Sequence, residues 1–438
     1  MSTITAVPDE YDIARRAWNL AVDQRPAAAR IARSVDDVQD ALAHAREHGL
    51  KVAAQTTGHM AGGLPPLHDT LLLKTALHER EPIEVDPVAR VARMPAGARW
   101  ADVVAAVAPH GLAVMHGSSP TVSPVGYLLA GGLSFYGRAH GLAVNHVRAF
   151  EAVTPDGVAR RASADEHPEL FYALRGGGGG FAVVTAIEIG LLPYAEVTGG
   201  ALFFDAADAR AVLRAWRDWA RMAPETITTT WRLMQMPPFD AVPAPLRGRR
   251  VVNVDGVALD AATAQELERA LRAVATPVLG GYGPMPSAAV AHVHGDPEDP
   301  SPHIAEGLLL ERLDDAAIEG VLGATGPGEA LLFFELRQLG GALARRPEGA
   351  GARGALEGEF LAFAIGLPGL TGTPEAIERS IRGALAAVAP VATGTRLASF
   401  AERWGTLESV VPDDALERLA AIRRKLDADG LLVAPHLP

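Results

Sequence analysis

Five consecutive glycines, Gly176 to Gly180, follow Leu170-Phe171-Tyr172-Ala173-Leu174-Arg175 and run directly into Phe181-Ala182-Val183-Val184-Thr185-Ala186-Ile187-Glu188-Ile189. Glycine allows positive φ and close backbone approach, so such a run belongs where the chain passes near a ligand or another backbone. The residues after it are β-branched and predict a buried strand. That order excludes a dinucleotide-binding G-x-G-x-x-G loop, which needs glycine where Phe181 stands and a helix behind it.

Composition narrows the alternatives. With 438 residues the chain exceeds one ordinary hydrophobic core, so two domains are expected. Forty basic against fifty-two acidic side chains give a net charge of −12, which argues against nucleic acid as a partner and favours a small molecule. No cysteine is present, which removes disulfides, thiolate nucleophiles and cysteine-bound metals. Redox chemistry would then require a bound cofactor. No charge-free stretch of membrane-spanning length is visible, and no apolar block follows a basic start, so no membrane association and a cytoplasmic location are expected.

Along the chain, Ser34 and Asp37 predict a capped helix carrying Val38, Ala41, Leu42 and Ala45 on one face, stopped at Gly49. A strand at Lys51 to Ala54 then enters a polar turn, Gln55-Thr56-Thr57-Gly58-His59-Met60. Short strands at 71–73 and 91–94 precede a helix through Trp100, Val103, Val104 and Val107. Residues 150–160 read as a hairpin around Thr154-Pro155-Asp156-Gly157. From about Tyr194, helical segments such as 206–221 alternate with strands at 228–234, 251–254, 331–338 and 360–365. An amphipathic helix through Leu416, Leu419, Ile422 and Leu426 closes the chain. The fold class is α+β.

Among chemical motifs, no P-loop occurs, and Gly132-Leu133-Ser134-Phe135-Tyr136 lacks the second glycine of a nucleophile elbow. His292 and His294 fall in a Pro/Asp-rich segment and are read as part of a solvated loop, not as a metal site.

Four segments, taken in order, carry more. They are Gln55-Thr56-Thr57-Gly58-His59; Gly117-Ser118-Ser119-Pro120-Thr121-Val122-Ser123-Pro124-Val125-Gly126; Ala130-Gly131-Gly132 with Arg138-Ala139-His140-Gly141; and Leu170 to Thr185. Together they resemble the FAD-binding domain of the berberine-bridge-enzyme-like branch of the vanillyl-alcohol-oxidase/p-cresol-methylhydroxylase superfamily. The tail Arg418 to His436 is similar to that family's closing segment.

The resemblance implies a two-subdomain FAD-binding domain over residues 1–193, a substrate domain with a helix-covered antiparallel sheet over 194–400, and a return to the first domain over 401–438. It implies FAD bound covalently through an 8α bond to His59, with Gln55, Thr56, Thr57, Gly58, Met60, Ser119, Pro120, Val125, Gly126, Gly131, Gly132, His140, Gly141, Gly180, Val183 and Pro435 around it. Ser119 stands where some members carry a cysteine with a second flavin bond, so attachment should be single. Pro435 stands near the family's closing asparagine.

The implied function is an oxidase of secondary metabolism, passing a hydride from a small, apolar or aromatic substrate to flavin N5, with molecular oxygen as acceptor. A redox-neutral cyclase or isomerase and a non-catalytic flavin-binding protein are the alternatives. For the base, alternation on Phe333-Phe334-Glu335-Leu336-Arg337-Gln338 puts Glu335 and Arg337 on one face and Gln338 on the other. Glu335, Gln338 and Tyr127 are the catalytic candidates, with Tyr136 as a further tyrosine. An ion pair of Glu335 with Arg337 on a sheet surface is the simpler reading of those two.

Overall fold

The computed structural model describes residues 10–403, 405 and 409–436. Ser34 caps the helix Val35–Glu47, its hydroxyl accepting from the Asp37 amide at 3.1 Å, and Val38, Ala41, Leu42 and Ala45 are the buried face. Replacing Ser34 with alanine leaves a helix-end amide without that acceptor and is expected to cost about 0.5–2 kcal/mol, read from the urea midpoint.

The described residues form three sheets. A parallel four-stranded sheet has the order Ala28–Ala32, Thr70–Thr75, Lys51–Gln55, Leu432–Val433. Its last strand comes from the C-terminal segment, where Leu432 pairs with Val52. The helix Asp413–Leu426 packs Leu419 and Ile422 into the core of the N-terminal half. An antiparallel five-stranded sheet has the order Glu84–Asp86, Val91–Pro95, Val183–Gly190, Val147–Val153, Ala159–Ser163. The expected hairpin at 150–160 is two of its strands.

The third sheet is antiparallel and seven-stranded: Leu279–Pro286, Glu196–Asp205, Arg250–Ala258, Ile227–Gln235, Phe333–Gln338, Phe360–Gly366, Ile304–Leu310. Helices Ala209–Met222, Ala261–Arg272, Asp315–Ala324 and Pro374–Val388 cover one of its faces, burying Trp216, Leu267, Ile318 and Ile381 against Trp231, Val254, Phe334 and Leu336. Strand periodicity then turns Arg232, Asp255, Phe333, Glu335, Arg337 and Phe363 to the opposite face, toward the N-terminal half. The α+β class and the helix-covered antiparallel sheet are therefore as expected. No helix among the described residues is long and apolar enough to cross a membrane.

Candidate active site

The strand Lys51–Gln55 ends at a cavity of about 380 Å³ lying between the N-terminal loops and the uncovered face of the seven-stranded sheet. That size is within the range of small-molecule sites. Gln55 exchanges hydrogen bonds with Gln24 at 3.0 Å, and Thr56 meets Thr75 through their hydroxyls at 2.8 Å, which fixes the start of the loop. Gly58 has φ +80°, and a Cβ there would lie 2.9 Å from Ala17. No other residue fits that turn without displacing backbone.

The turn presents His59 to the cavity. Its ring stacks on Trp18 with centroids 4.1 Å apart and planes 17° from parallel, and its Nε2 lies 3.1 Å from Thr121 Oγ1. Thr121 in turn meets Ser119 Oγ at 3.1 Å. Burial, helped by the nearby charge of His303, drives the His59 pKa down to about 3 against an opposing hydrogen bond to the Thr121 backbone. The imidazole is thus neutral at ordinary pH.

Opposite, the sheet carries a chain of buried charges. Arg232 donates to Asp255 at 2.6 Å and to Asn253 at 2.8 Å. His294 places Nδ1 3.1 Å from Asp255 and Nε2 2.8 Å from Glu335, and Arg337 donates through Nε to Glu335. Register puts Arg232 across from both Asn253 and Glu335. Exposure falls between 0% for Asp255 and Glu335 and 8% for Arg337, so every charge here depends on its neighbours. Burial and Arg232 push the His294 pKa down, but Asp255 and Glu335 outweigh them and hold it above the usual value. Burial alone would raise Glu335, yet Arg337 and His294 hold it far below the usual carboxylate range. Arg337 Nη2 also lies 3.1 Å from His294 Nε2, and with the imidazolium protonated this is a contact between two donors, bridged by Glu335.

The cavity wall contains Gln55, Thr56, Thr57, Gly58, His59, Met60, Ser119, Val125, Gly126, Tyr127, Glu335 and Pro435, all expected near the ligand. Pro120, Gly131, Gly132, His140, Gly141, Gly180 and Val183 do not line it. They contribute to the packing around it. Pro120 accepts the Ala101 amide. Gly132 has φ +77°, with the space for a Cβ taken by the Tyr127 ring at 2.5 Å, while Gly131 faces Arg353 and Leu397. His140 pairs with the Tyr194 hydroxyl at 2.9 Å, and Gly141 closes a short helix with φ +84°. The Gly180 carbonyl accepts from Arg423 at 3.0 Å, and Val183 belongs to the core around Val52 and Leu73.

Other expectations are refined by the structure. Gln338 faces the helices instead of the cavity, where it accepts from Thr229 at 3.0 Å and donates to the Ala220 carbonyl at 2.7 Å. His294 is not in a solvated loop but only 3% exposed, while His292 beside it is open to solvent. The ion pair of Glu335 with Arg337 on a sheet surface is present, on the buried sheet face that lines the cavity. Tyr136 is buried outside the lining. Several lining residues had no sequence signal, including Trp18, His303, Glu402 and Phe400; Gly176 to Gly179 had one in the glycine run itself.

A ligand-sized group with polar edges fits this cavity. Four buried polar atoms on lining residues have no partner among the described residues: Trp18 Nε1, Tyr127 OH, Ser399 Oγ and His436 Nδ1. Such atoms are normally satisfied, by solvent or by a bound molecule. Gly178 and Gly179 leave backbone open along another side.

Residues 26–163 match a family model described as an FAD binding domain. Over those residues the chain is similar to an FAD-binding domain. An FAD-dependent monooxygenase of Penicillium roqueforti is 29% identical over 205 residues, 46% of this chain and 40% of the relative, so the chain spans about two-fifths of the length of that relative. The berberine-bridge-enzyme-like protein 1 of Physcomitrella patens shares the fold at TM-score 0.83 and 20% identity, covering 98% of this chain and 95% of that one. A glucooligosaccharide oxidase of Acremonium strictum, whose description names a 6-S-cysteinyl, 8α-N1-histidyl FAD, aligns at TM-score 0.81 and 21% identity over 98% and 96% of the two chains. The two structural likenesses show that the chain shares the fold of these proteins. The cavity lies against residues 26–163, with His59 from among them on its wall.

Proposed function

We propose that this chain is an FAD-dependent oxidase carrying its flavin on His59 through one covalent bond and acting on a small apolar or aromatic molecule. The observation that carries this reading is His59 itself: a buried, neutral imidazole, stacked on Trp18, held by Thr121, on the wall of a cavity bounded by the FAD-binding domain. A neutral nitrogen keeps the lone pair that bond formation requires. In the tautomer with the proton on Nε2, facing Thr121 Oγ1, the lone pair is on Nδ1, and this is the nitrogen assigned to the flavin.

Residues 1–193 and 401–438 hold the cofactor in this reading, and 194–400 supply the substrate-facing sheet; positions 1–9, 404, 406–408, 437 and 438 of that division lie outside the described residues. When bound, FAD supplies a two-electron acceptor that takes a hydride from the substrate and returns the electrons to molecular oxygen. The chain's own part is to position and exclude water. Tyr127 stays protonated, because burial raises its pKa, and its unpartnered hydroxyl is available as a donor. Glu335, held ionised by two cations, is a weak base and acts by fixing Arg337.

Ser119 occupies the position of the second attachment in the resembled family, and a hydroxyl forms no thioether. Ser119→Ala is therefore expected to keep the covalent flavin at the native level, read as yellow protein after acid precipitation. A colourless precipitate from this variant would mean that Ser119 takes part in attachment. Oxidase activity itself is tested by anaerobic mixing with a substrate: the yellow absorbance should bleach and return on admitting air. Turnover without bleaching would instead indicate the redox-neutral cyclase or isomerase, and binding without turnover a flavin-binding protein.

A further inference from the structure

Part of the cavity wall is a short segment with solvent on its other side. His294, Asp296, Pro297, Ser301 and His303 line the cavity, while Glu298, Asp299 and Pro300 between them are exposed. Pro297, Pro300 and Pro302 have no amide hydrogen, and residues 296–300 make no backbone hydrogen bond to the rest of the chain among the described residues. The middle is held by one side-chain contact, Ser118 Oγ donating to Asp296 at 3.2 Å. The ends are what keep it in place.

The two ends differ. At the first, His294 is clamped between Asp255 and Glu335, and its carbonyl accepts from Arg232 at 2.8 Å. Gly295 follows with φ +70° and open space where a Cβ would stand, so the chain can pivot there without obstruction. At the second end, the buried Asn19 side chain accepts from the His303 amide and donates to the His303 carbonyl, each at 3.1 Å, and the Leu20 amide donates to the Ser301 carbonyl at 3.2 Å. His303 also pairs with Glu402 at 2.9 Å. Burial lowers the His303 pKa, but Glu402 outweighs it and holds it above the usual value, which favours the charged imidazolium. Asn19 adjoins Trp18, whose amide donates to the Thr57 carbonyl at 2.8 Å, so this end is tied to the turn that presents His59. The first end is built into the charged network of the sheet. The second rests on one asparagine and one ion pair, and it is the end that yields first.

We propose that residues 295–302 form a lid over the cavity, hinged at Gly295 and latched at His303 by Asn19 and Glu402, and that release of this latch admits small molecules to the cavity. The lid goes beyond the flavin reading and does not depend on it. Opening is a local event that leaves the sheets folded. Where opening and closing are fast, the population of the open form sets the rate at which a reagent reaches a group inside.

The chain has no cysteine, so one introduced thiol reports on the cavity without background. Ser399 lines the cavity with its hydroxyl buried, and Ser399→Cys in the full-length protein is the reporter, its labelling by iodoacetamide followed by intact mass. With the native latch, labelling should be much slower than for the same protein in urea. Adding Asn19→Ala should speed it about tenfold or more, as expected for loss of buried hydrogen bonds. Adding Glu402→Gln, which keeps the shape and removes the charge, should speed it by a smaller factor, and this arm decides alone if Asn19→Ala does not fold. Ser34→Ala removes a helix cap and touches no lid residue, so it should leave the rate unchanged while lowering global stability. Rates are compared between preparations of equal flavin absorbance, so that a difference in cofactor loading is not read as opening. Rates unchanged by the latch variants, a rise in Ser34→Ala equal to that in Asn19→Ala, or native labelling as fast as in urea would each overturn the lid.

Discussion

His59→Ala is expected to abolish covalent FAD completely, giving a colourless acid precipitate where the native protein stays yellow. Alanine offers no nitrogen, the chain has no cysteine to substitute, and Ser119 on the neighbouring segment cannot form an equivalent bond. The effect should be all-or-none because a single attachment point leaves no partial state. Fold loss is checked separately: His59 lies in a loop outside regular structure, so far-ultraviolet circular dichroism should be unchanged. Thr121→Val should give a smaller effect, slowing attachment without preventing it, since it removes the hydroxyl that fixes the imidazole at 3.1 Å but not the nucleophile. Full adduct in His59→Ala would contradict the assignment outright.

The second large effect is on stability. Asp255→Ala is expected to destabilise the protein by about 3–5 kcal/mol, measured by urea unfolding, because it strands Arg232 and His294 in a dry sheet face without a shared carboxylate. The pH dependence has a definite sign. Burial would raise the Asp255 pKa, but Arg232 and His294 bring it below the usual value, and Glu335 is depressed by Arg337 and His294. These carboxylates therefore contribute stability above the unfolded carboxyl pKa of about 4, and lose it as pH falls through their lower folded values. His294 is shifted the other way, so its contribution is complete below about pH 6.5 and is lost as pH rises through its raised folded value. The native protein should be most favoured over the variant between these limits. A variant whose urea midpoint matches the native one at neutral pH would show that the network contributes no net stability.

The elements that position the site were legible wherever local pattern and long-range packing agree. Strand alternation correctly separated Glu335 and Arg337 from Gln338 on Phe333–Gln338. It could not say which of the two faces looks at the cavity, because that is decided by four helices distant in sequence that cover the Gln338 side. The Thr229 hydroxyl, itself held by the Trp216 indole N–H, and the Ala220 carbonyl absorb the polar groups of Gln338 there, through contacts that no local signal reveals.

Glycine posed a similar problem. Gly131 and Gly132 have the positive φ that a ligand cradle uses, but the space beside Gly132 is filled by Tyr127, and Gly131 faces Arg353 and Leu397 at van der Waals distance. Conformational permissiveness marks close approach without naming what approaches. The edge strand Leu279–Pro286 escaped notice because it contains Gly280, Gly281, Gly283, Pro284 and Pro286. Those residues are tolerated there because the strand pairs on one side only, with Glu196–Asp205. His294 read as solvated for want of an apolar neighbourhood in sequence, whereas its partners Asp255 and Glu335 lie 39 and 41 positions away.

Peptide mapping of the native protein by tandem mass spectrometry tests covalent attachment most directly. Digested protein should yield the peptide containing Gly58-His59-Met60 carrying one FAD mass, with fragment ions placing it on His59. An unmodified peptide, with FAD recovered free in the acid supernatant, would contradict it.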